Sequence, residues 1–214
     1  MHGMTDGIMA ALLVLNLALL GTSRLAFCIT LVAAQGVLTG LLPLVSSSGV
    51  TLRTLFLAAA VIALKGVVFP RLLSNAIRGA DVRREVEPYV GWGLSLLLGL
   101  GLLGISFWLG AKLPLPAAAP EAALVVPGAI CTILIGLLVI VSRKKAVTQV
   151  AGYLVLENGI AAFGLAVVPD VPLLIELGIL LDVFVAVFVM AIMIYRISQE
   201  FDHIDADRLS ALKG

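Results

Sequence analysis

AVTQVAGYLVLENGIAAFGLAVV (residues 146–168) and LLIELGILLDVFVAVFVMAIMIY (residues 173–195) are two apolar stretches that each carry an acidic residue near the middle. An apolar segment of about twenty residues predicts a helix that spans a membrane. A carboxylate in the middle of such a span costs on the order of 3 kcal/mol on insertion scales. Glu157 and Asp182 occupy these positions, so their presence needs an explanation in terms of function or of helix packing.

The composition indicates that most of the chain lies in a membrane. Of its 214 residues, 61% are hydrophobic and 13% are charged, and the mean hydropathy is +1.16. A soluble domain would be about a quarter charged. Because an open sheet edge cannot lie in lipid, we expect an all-α, polytopic integral membrane protein. Cys28 and Cys131 lie in apolar runs, and we expect them to be buried thiols.

The apolar runs predict a bundle of about seven transmembrane helices. Their approximate ranges are 7–20, 25–45, 52–69, 89–111, 122–142, 146–168 and 173–195. We expect the third helix to end at Pro70, because proline removes a helical hydrogen bond, and a charged loop to run from 71 to 88. The Pro/Ala-rich connector at 113–120 divides the chain into a four-helix region, 1–113, and a three-helix region with a short cytoplasmic tail, 114–214.

Positive charge predicts the orientation of the bundle. On one side of the bundle, the loops and span ends hold only two basic residues, Arg53 and Lys112. The segments on the other side hold Arg24, Arg71, Arg78, Arg83, Arg84, Arg143, Lys144, Lys145, Arg196, Arg208 and Lys213. Cytoplasmic loops carry the excess of lysine and arginine. We therefore expect a multi-pass protein of the cell inner (cytoplasmic) membrane, with its N-terminus outside and its C-terminus in the cytoplasm.

Four charged side chains lie inside the predicted spans, away from their first and last residues. Glu157 and Asp182 are each about 15 Å into their helices at about 1.5 Å per residue, so both are expected near the midplane. Glu176 precedes Asp182 on the same helix, about 9 Å nearer the outer face and about 120° around the helix axis. Lys65 is expected in the cytoplasmic third of the third span.

These charges have a functional and a structural interpretation. A carboxyl group in a low dielectric can take up and release a proton near neutral pH if it has a partner or a chain of water. Glu157 and Asp182 would therefore suit a proton relay, and Glu176 and Lys65 could extend it. Alternatively, the first two acids only fix helix packing, Glu176 reaches the outer interface, and Lys65 snorkels to the inner surface.

Neutral polar and small residues predict further contacts between helices. The residues expected to form interhelical hydrogen bonds are Asn16, Gln35, Gln149 and Asn158. The spacing of Gly36 and Gly40 is typical of closely packed helices. The sequence contains no Gly-rich phosphate loop, no nucleophile constellation and no metal-binding cluster. We therefore expect no cofactor, no metal and no catalysis by this chain alone, and no nucleic acid among its partners.

Three segments of the C-terminal half resemble a known family. They are Arg143-Lys144-Lys145, the run Tyr153–Asn158 and the run Leu180–Phe184. They look like the three-helix K subunit of NADH-quinone oxidoreductase (complex I), which has basic residues after its first helix and one glutamate in each of the next two helices. Glu157 matches the first of those glutamates, and Asp182 falls where the second would be.

The chain is longer than that subunit, and a K-like half preceded by extra helices is similar to component E of hydrogenase-4. That family is a membrane subunit of group 4 hydrogenase and formate hydrogenlyase complexes. The resemblance implies a non-redox subunit of a complex I-related, proton-translocating oxidoreductase, with Glu157 and Asp182 in a chain of charges near the midplane. Besides the lipid bilayer, it implies three kinds of protein partner: antiporter-like membrane subunits, a membrane protein of the complex I H type, and a peripheral hydrogenase or iron–sulfur module. Two alternatives stay open: a subunit of a multisubunit cation/proton antiporter, and a purely structural membrane anchor.

Overall fold

The computed structural model describes residues 2–46, 51–79, 88–113 and 124–167, together with residues 178 and 181. Within these ranges the chain is helical and has no β-strand, which confirms the all-α prediction. Its helices are α1 (His2–Gly21), α2 (Leu25–Ser46), α3 (Leu52–Ala63), α4 (Phe69–Gly79), α5 (Trp92–Lys112), α6 (Val125–Ser142) and α7 (Ala146–Val167). The π-helical turn Leu64–Val68 joins α3 to α4. Glu176, Asp182 and the C-terminal tail lie outside the described residues.

Five helical segments of the described chain are long and apolar enough to cross a membrane. They are Gly3–Gly21, Leu25–Val45, Leu52–Asn75, Trp92–Lys112 and Val125–Ser142, which correspond to the first five predicted spans. The 22-residue α7 is not among them. Large side chains such as Phe56 on α3 and Leu97 on α5 are 72% and 66% exposed. Exposed apolar faces of this kind are those that lipid or another membrane protein covers.

The third predicted span does not end at Pro70. The helical backbone is continuous over Leu52–Gly79, through α3, the π turn and α4. The Phe69 N–H donates to the carbonyl oxygen of Leu64, five residues back, and this wider turn makes room for a proline that would clash inside a regular α-helix. The predicted loop from Arg71 is therefore wrong as far as the end of α4.

Contacts at the helix ends show that α1 and α6 start on the same side of the bundle and that α5 and α6 run in opposite directions. At one end, the Asp6 carboxylate accepts a hydrogen bond from Leu124 N at 3.4 Å, which joins the start of α1 to the start of α6. At the other end, Tyr89 N donates to the carbonyl oxygen of Ser142 at 2.9 Å, which joins the segment before α5 to the end of α6. These contacts agree with the alternation on which the predicted orientation depends.

The closest helix pair is α6 and α7, because glycines bring the two backbones together. A Cβ atom at Gly136 would lie 2.5 Å from Leu156 N, and one at Gly159 would lie 2.6 Å from Ile133 N. Real Cβ atoms do not approach backbone atoms so closely, so no other residue fits either position without moving a helix. This packing fixes the height of the second half of α7, including Glu157, against the centre of α6.

Candidate functional site

A buried ion pair joins α7 to the π turn of the third helical segment. Lys65 Nζ lies 3.2 Å from Glu157 Oε1, and the two side chains are only 6% and 3% exposed. The same ammonium donates a hydrogen bond to Asn158 Oδ1 at 3.0 Å. Lys65 therefore bridges two consecutive residues of α7 at the centre of the bundle.

The position of Lys65 differs from the predicted one. The sequence places it in the cytoplasmic third of a span that ends at Pro70, with snorkelling to the inner surface as the alternative. Because the helix continues to Gly79, Lys65 is near the middle of its helical segment. Its pairing with Glu157 and its burial show that it does not snorkel.

A glycine on α2 makes room for the lysine. A Cβ atom at Gly36 would overlap Lys65 Cβ, and one at Gly40 would lie 2.6 Å from Ile62 Cγ1. Small residues at this spacing let two membrane helices approach closely. The expectation of close packing at these two glycines is confirmed, and its consequence is that the Lys65 side chain enters the core of the bundle.

Electrostatics explains why the two charges are found together. Two unit charges 3.2 Å apart attract by about 5 kcal/mol at an effective dielectric constant of about 20. This attraction offsets part of the cost of removing both groups from water, which is several kcal/mol per ion. Either charge alone would be costly at this depth.

The carboxylate keeps free capacity to accept hydrogen bonds. The ion pair is not aligned as a hydrogen bond, and within the described residues neither Glu157 oxygen has a hydrogen-bond partner. Asn158 Nδ2 is also without an acceptor in that part of the chain. Among the described residues, Glu157 therefore faces a cation with open acceptor sites and Asn158 keeps an open donor, so both side chains can bind a further polar group.

A second buried polar chain crosses three other helices. Gln35 Nε2 on α2 donates to Asn16 Oδ1 on α1 at 3.0 Å, and Asn16 Nδ2 donates to Thr132 Oγ1 on α6 at 2.8 Å. The interhelical hydrogen bonds predicted for Asn16 and Gln35 are confirmed, and Asn158 forms one with Lys65. The bond of Gln149 is more local: its Nε2 donates to the carbonyl oxygen of Arg143, the residue that caps the end of α6.

Arg143 has a role that the sequence analysis did not assign to it. The sequence treats it as a loop charge, yet it is 1% exposed. Its Nη2 donates to the carbonyl oxygen of Leu20 at 3.0 Å, and its guanidinium lies 3.9 Å from the centre of the Trp92 ring. A cation suits the C-terminal carbonyls of a helix such as α1. The only sequence signal was an arginine directly after an apolar run, which is also typical of a charge at the membrane surface.

The structure tests only part of the predicted relay. It brings Glu157 and Lys65 into contact, whereas Asp182 and Glu176 lie outside the described residues. No group of His, Cys, Asp and Glu that could hold a metal occurs in the described ranges. Cys28 and Cys131 are buried, as expected, and form no disulfide within the described residues.

Comparisons with known proteins identify relatives over most of the chain. An uncharacterized protein of Mycobacterium tuberculosis, Rv0085, is 36% identical over 188 residues, which cover 86% of this chain and 84% of the relative. Hydrogenase-4 component E of Escherichia coli K12 is 30% identical over 152 residues, which cover 70% of this chain and 69% of the relative. The protein of the same name in Shigella flexneri matches to the same extent. No family model and no solved structure matches the chain.

Proposed function

The chain belongs to the hydrogenase-4 component E family. From this premise we propose that it is a non-redox membrane subunit of a complex I-related, proton-translocating hydrogenase complex. The proposed complex is of the group 4 hydrogenase or formate hydrogenlyase type. The name of its relatives denotes one component of a hydrogenase. The observation that carries the proposal further is the buried pair of Lys65 and Glu157. In this proposal the pair forms part of a proton relay near the midplane of the membrane.

The chemistry of the pair suits a relay that works by alternating charge. While Glu157 is ionised, its carboxylate attracts the Lys65 ammonium by about 5 kcal/mol. When a proton reaches Glu157, that attraction is lost. The Lys65 ammonium then more readily donates a proton, or a hydrogen bond, to the next group of the relay. When the carboxyl group loses its proton, the first state returns. The pair would thus couple the charge state of one neighbour to that of another without any redox cofactor of its own.

The proposed relay extends beyond the described residues. Asp182 is the proposed next station, since it falls in the following apolar run at a similar depth, and Glu176 is a further candidate on the same run. Because α7 packs along α6, which is apolar enough to cross a membrane, we propose that α7 also crosses it and that the span with Asp182 follows. The proposed bundle then has seven spans in the inner membrane, with the N-terminus outside.

The proposed partners follow from the family. They are antiporter-like membrane subunits, a membrane protein of the complex I H type, and a peripheral hydrogenase or iron–sulfur module. To test this, the tagged chain is purified in a mild detergent, and mass spectrometry identifies the proteins that come with it. We expect proteins of these three kinds. A chain that purifies alone and monodisperse would contradict membership of a complex.

The tight helix packing also fits a second function, a structural anchor. In that case Lys65 and Glu157 would only hold α7 against the third helical segment, as the glycine contacts hold α7 against α6. A Glu157→Gln variant of the complex, reconstituted in proteoliposomes, separates the two functions. The relay predicts that the complex assembles but loses proton translocation, whereas normal translocation would leave the anchor as the better account.

A further inference from the structure

Four buried polar atoms near the ion pair have no hydrogen-bond partner among the described residues. They are Gln35 Oε1, Glu157 Oε1, Glu157 Oε2 and Asn158 Nδ2. The three side chains are 0%, 3% and 1% exposed. A buried polar group without a partner costs about 1–3 kcal/mol, and nearly all such groups in folded proteins are paired with protein or with ordered water. These four atoms therefore need partners that the described residues do not supply.

The hydrogen-bond donors determine which atom of Gln35 is left over. The Thr132 hydroxyl uses its proton on the carbonyl oxygen of Gly128 at 2.8 Å, so it can only accept from Asn16 Nδ2. Asn16 Oδ1 then accepts from Gln35 Nε2. The remaining atom is Gln35 Oε1, an acceptor. By the same reasoning, Asn158 accepts from Lys65 with its oxygen and keeps an NH₂ group that must donate.

The packing places these side chains in one region of the bundle. Gln35 directly precedes Gly36, whose Cα lies against the side chain of Lys65. On the other side, Gly159 follows Asn158 and packs against Ile133 N, next to Thr132. The chain from Gln35 to Thr132 and the ion pair thus lie at the same depth, on helices that contact one another.

We propose that Gln35, Glu157 and Asn158 hold an internal water site. A water molecule there accepts from Asn158 Nδ2 and donates to Gln35 Oε1 and to the Glu157 carboxylate, which gives it the three hydrogen bonds typical of buried water. The site links the relay to the N-terminal helices, and Gln35 is its positioning residue. This inference rests on the proposed function, because it makes the water a proton-carrying neighbour of Glu157.

The chemistry of the site favours water over a metal cation. Lys65 already supplies a positive charge 3.2 Å from Glu157, and a second cation beside it would be repelled. Asn158 presents a donor to the site, and a donor cannot ligate a cation. Water can satisfy donors and acceptors together, as this set of atoms requires.

The first test is a density map of the intact complex in lipid nanodiscs, at a resolution that shows ordered water. We expect water within about 3.2 Å of Gln35 Oε1 and of either Glu157 or Asn158. If Gln35 Oε1 is instead bonded to a protein side chain, or if a map that shows other buried waters has no density beside it, the proposal is overturned.

The second test compares two variants of α2 in the same complex. Gln35→Met removes the acceptor Oε1, together with the Nε2 donor to Asn16, at nearly constant volume. We expect proton translocation to fall about fivefold, the factor for losing one ordinary hydrogen bond in the rate-limiting state. The control is Thr39→Val: the Thr39 hydroxyl is buried and bonds only the Gln35 backbone oxygen, at 2.9 Å, so translocation should stay within about twofold of wild type. Equal losses in both variants would show a packing effect and overturn the proposal.

The Glu157→Gln variant separates failure of this inference from failure of the proposed function. If Glu157→Gln abolishes translocation while Gln35→Met leaves it normal, the relay stands and the water link through Gln35 is wrong. If Glu157→Gln itself translocates protons normally, the relay is wrong, and a water molecule found beside Gln35 has only a structural role.

Discussion

Replacing Lys65 by methionine should destabilise the chain far more than replacing both members of its ion pair. In the Lys65→Met variant, Glu157 becomes a buried carboxylate without its cation, and breaking such a pair typically costs about 3–5 kcal/mol. Glu157→Met leaves the ammonium in the same position and should cost a similar amount. The Lys65→Met/Glu157→Met double variant buries no charge at the site.

The geometry gives the size of the expected difference. The 3.2 Å separation corresponds to an attraction of about 5 kcal/mol at an effective dielectric constant of about 20. The desolvation cost of both ions disappears in the double variant. Its loss of unfolding free energy should therefore be smaller than the sum of the two single-variant losses by at least about 2 kcal/mol. The loss of the Lys65 hydrogen bond to Asn158 is common to two of the variants and costs about 1–3 kcal/mol.

The assay is equilibrium unfolding of the purified protein in mixed micelles of a mild and a denaturing detergent, followed by circular dichroism. The matched control is Gly101→Ala on α5, where a Cβ atom meets nothing within 4 Å and stability should stay level or rise by up to about 1 kcal/mol. Single effects that add to within about 0.5 kcal/mol in the double variant would refute the claim that Lys65 and Glu157 interact as buried charges.

Two further predictions concern packing around the site. Gly36→Ala places a Cβ atom on Lys65 Cβ. We therefore expect the unfolding free energy to fall by about 1–3 kcal/mol and proton translocation to decrease. If the variant keeps the wild-type stability and the wild-type translocation rate, the packing described for Lys65 is contradicted. Arg143→Lys keeps the charge but loses the planar contact with the Trp92 ring and the hydrogen bonds to two carbonyl groups. We therefore expect the free energy of unfolding to fall by about 1–3 kcal/mol and the melting temperature of the complex to fall by several degrees. An unchanged melting temperature would show that any cation suffices there.

Much of the architecture could be predicted from the sequence because membrane helices leave a strong local signal. Length and apolarity were enough to place the first five spans, and α7 begins at Ala146 as expected. The error was at Pro70, where a general rule about proline predicted a helix end. The π turn before it is a property of backbone hydrogen bonds, and no residue in Leu64–Val68 signals it.

The candidate site was harder to predict, because it depends on contacts between residues far apart in the chain. Glu157 was identified since an acidic residue in an apolar run is costly, and that cost is visible locally. Its partner Lys65 is 92 positions earlier and was assigned the wrong depth once the helix was ended too soon. Gly36 was the useful clue, but spacing alone does not show that the residue it accommodates is charged.

The polar chain from Gln35 to Thr132 shows the same limit. Each residue could be expected to bond another helix, since a membrane offers no water to an amide group. Which helix it would meet follows only from the packing of α1, α2 and α6. Arg143 was misjudged for a related reason: a loop arginine at the membrane surface and one buried against Trp92 have the same local sequence pattern.

The most direct test of the relay is the number of protons moved per electron by a complex that carries the Lys65→Met/Glu157→Met double variant. Replacing a buried ion pair with apolar residues of similar volume is often neutral or stabilising, so this complex should assemble and keep electron transfer. The relay predicts that its proton-to-electron ratio falls to the background of uncoupled vesicles. A ratio equal to that of wild type would contradict the account and leave the pair with a structural role alone.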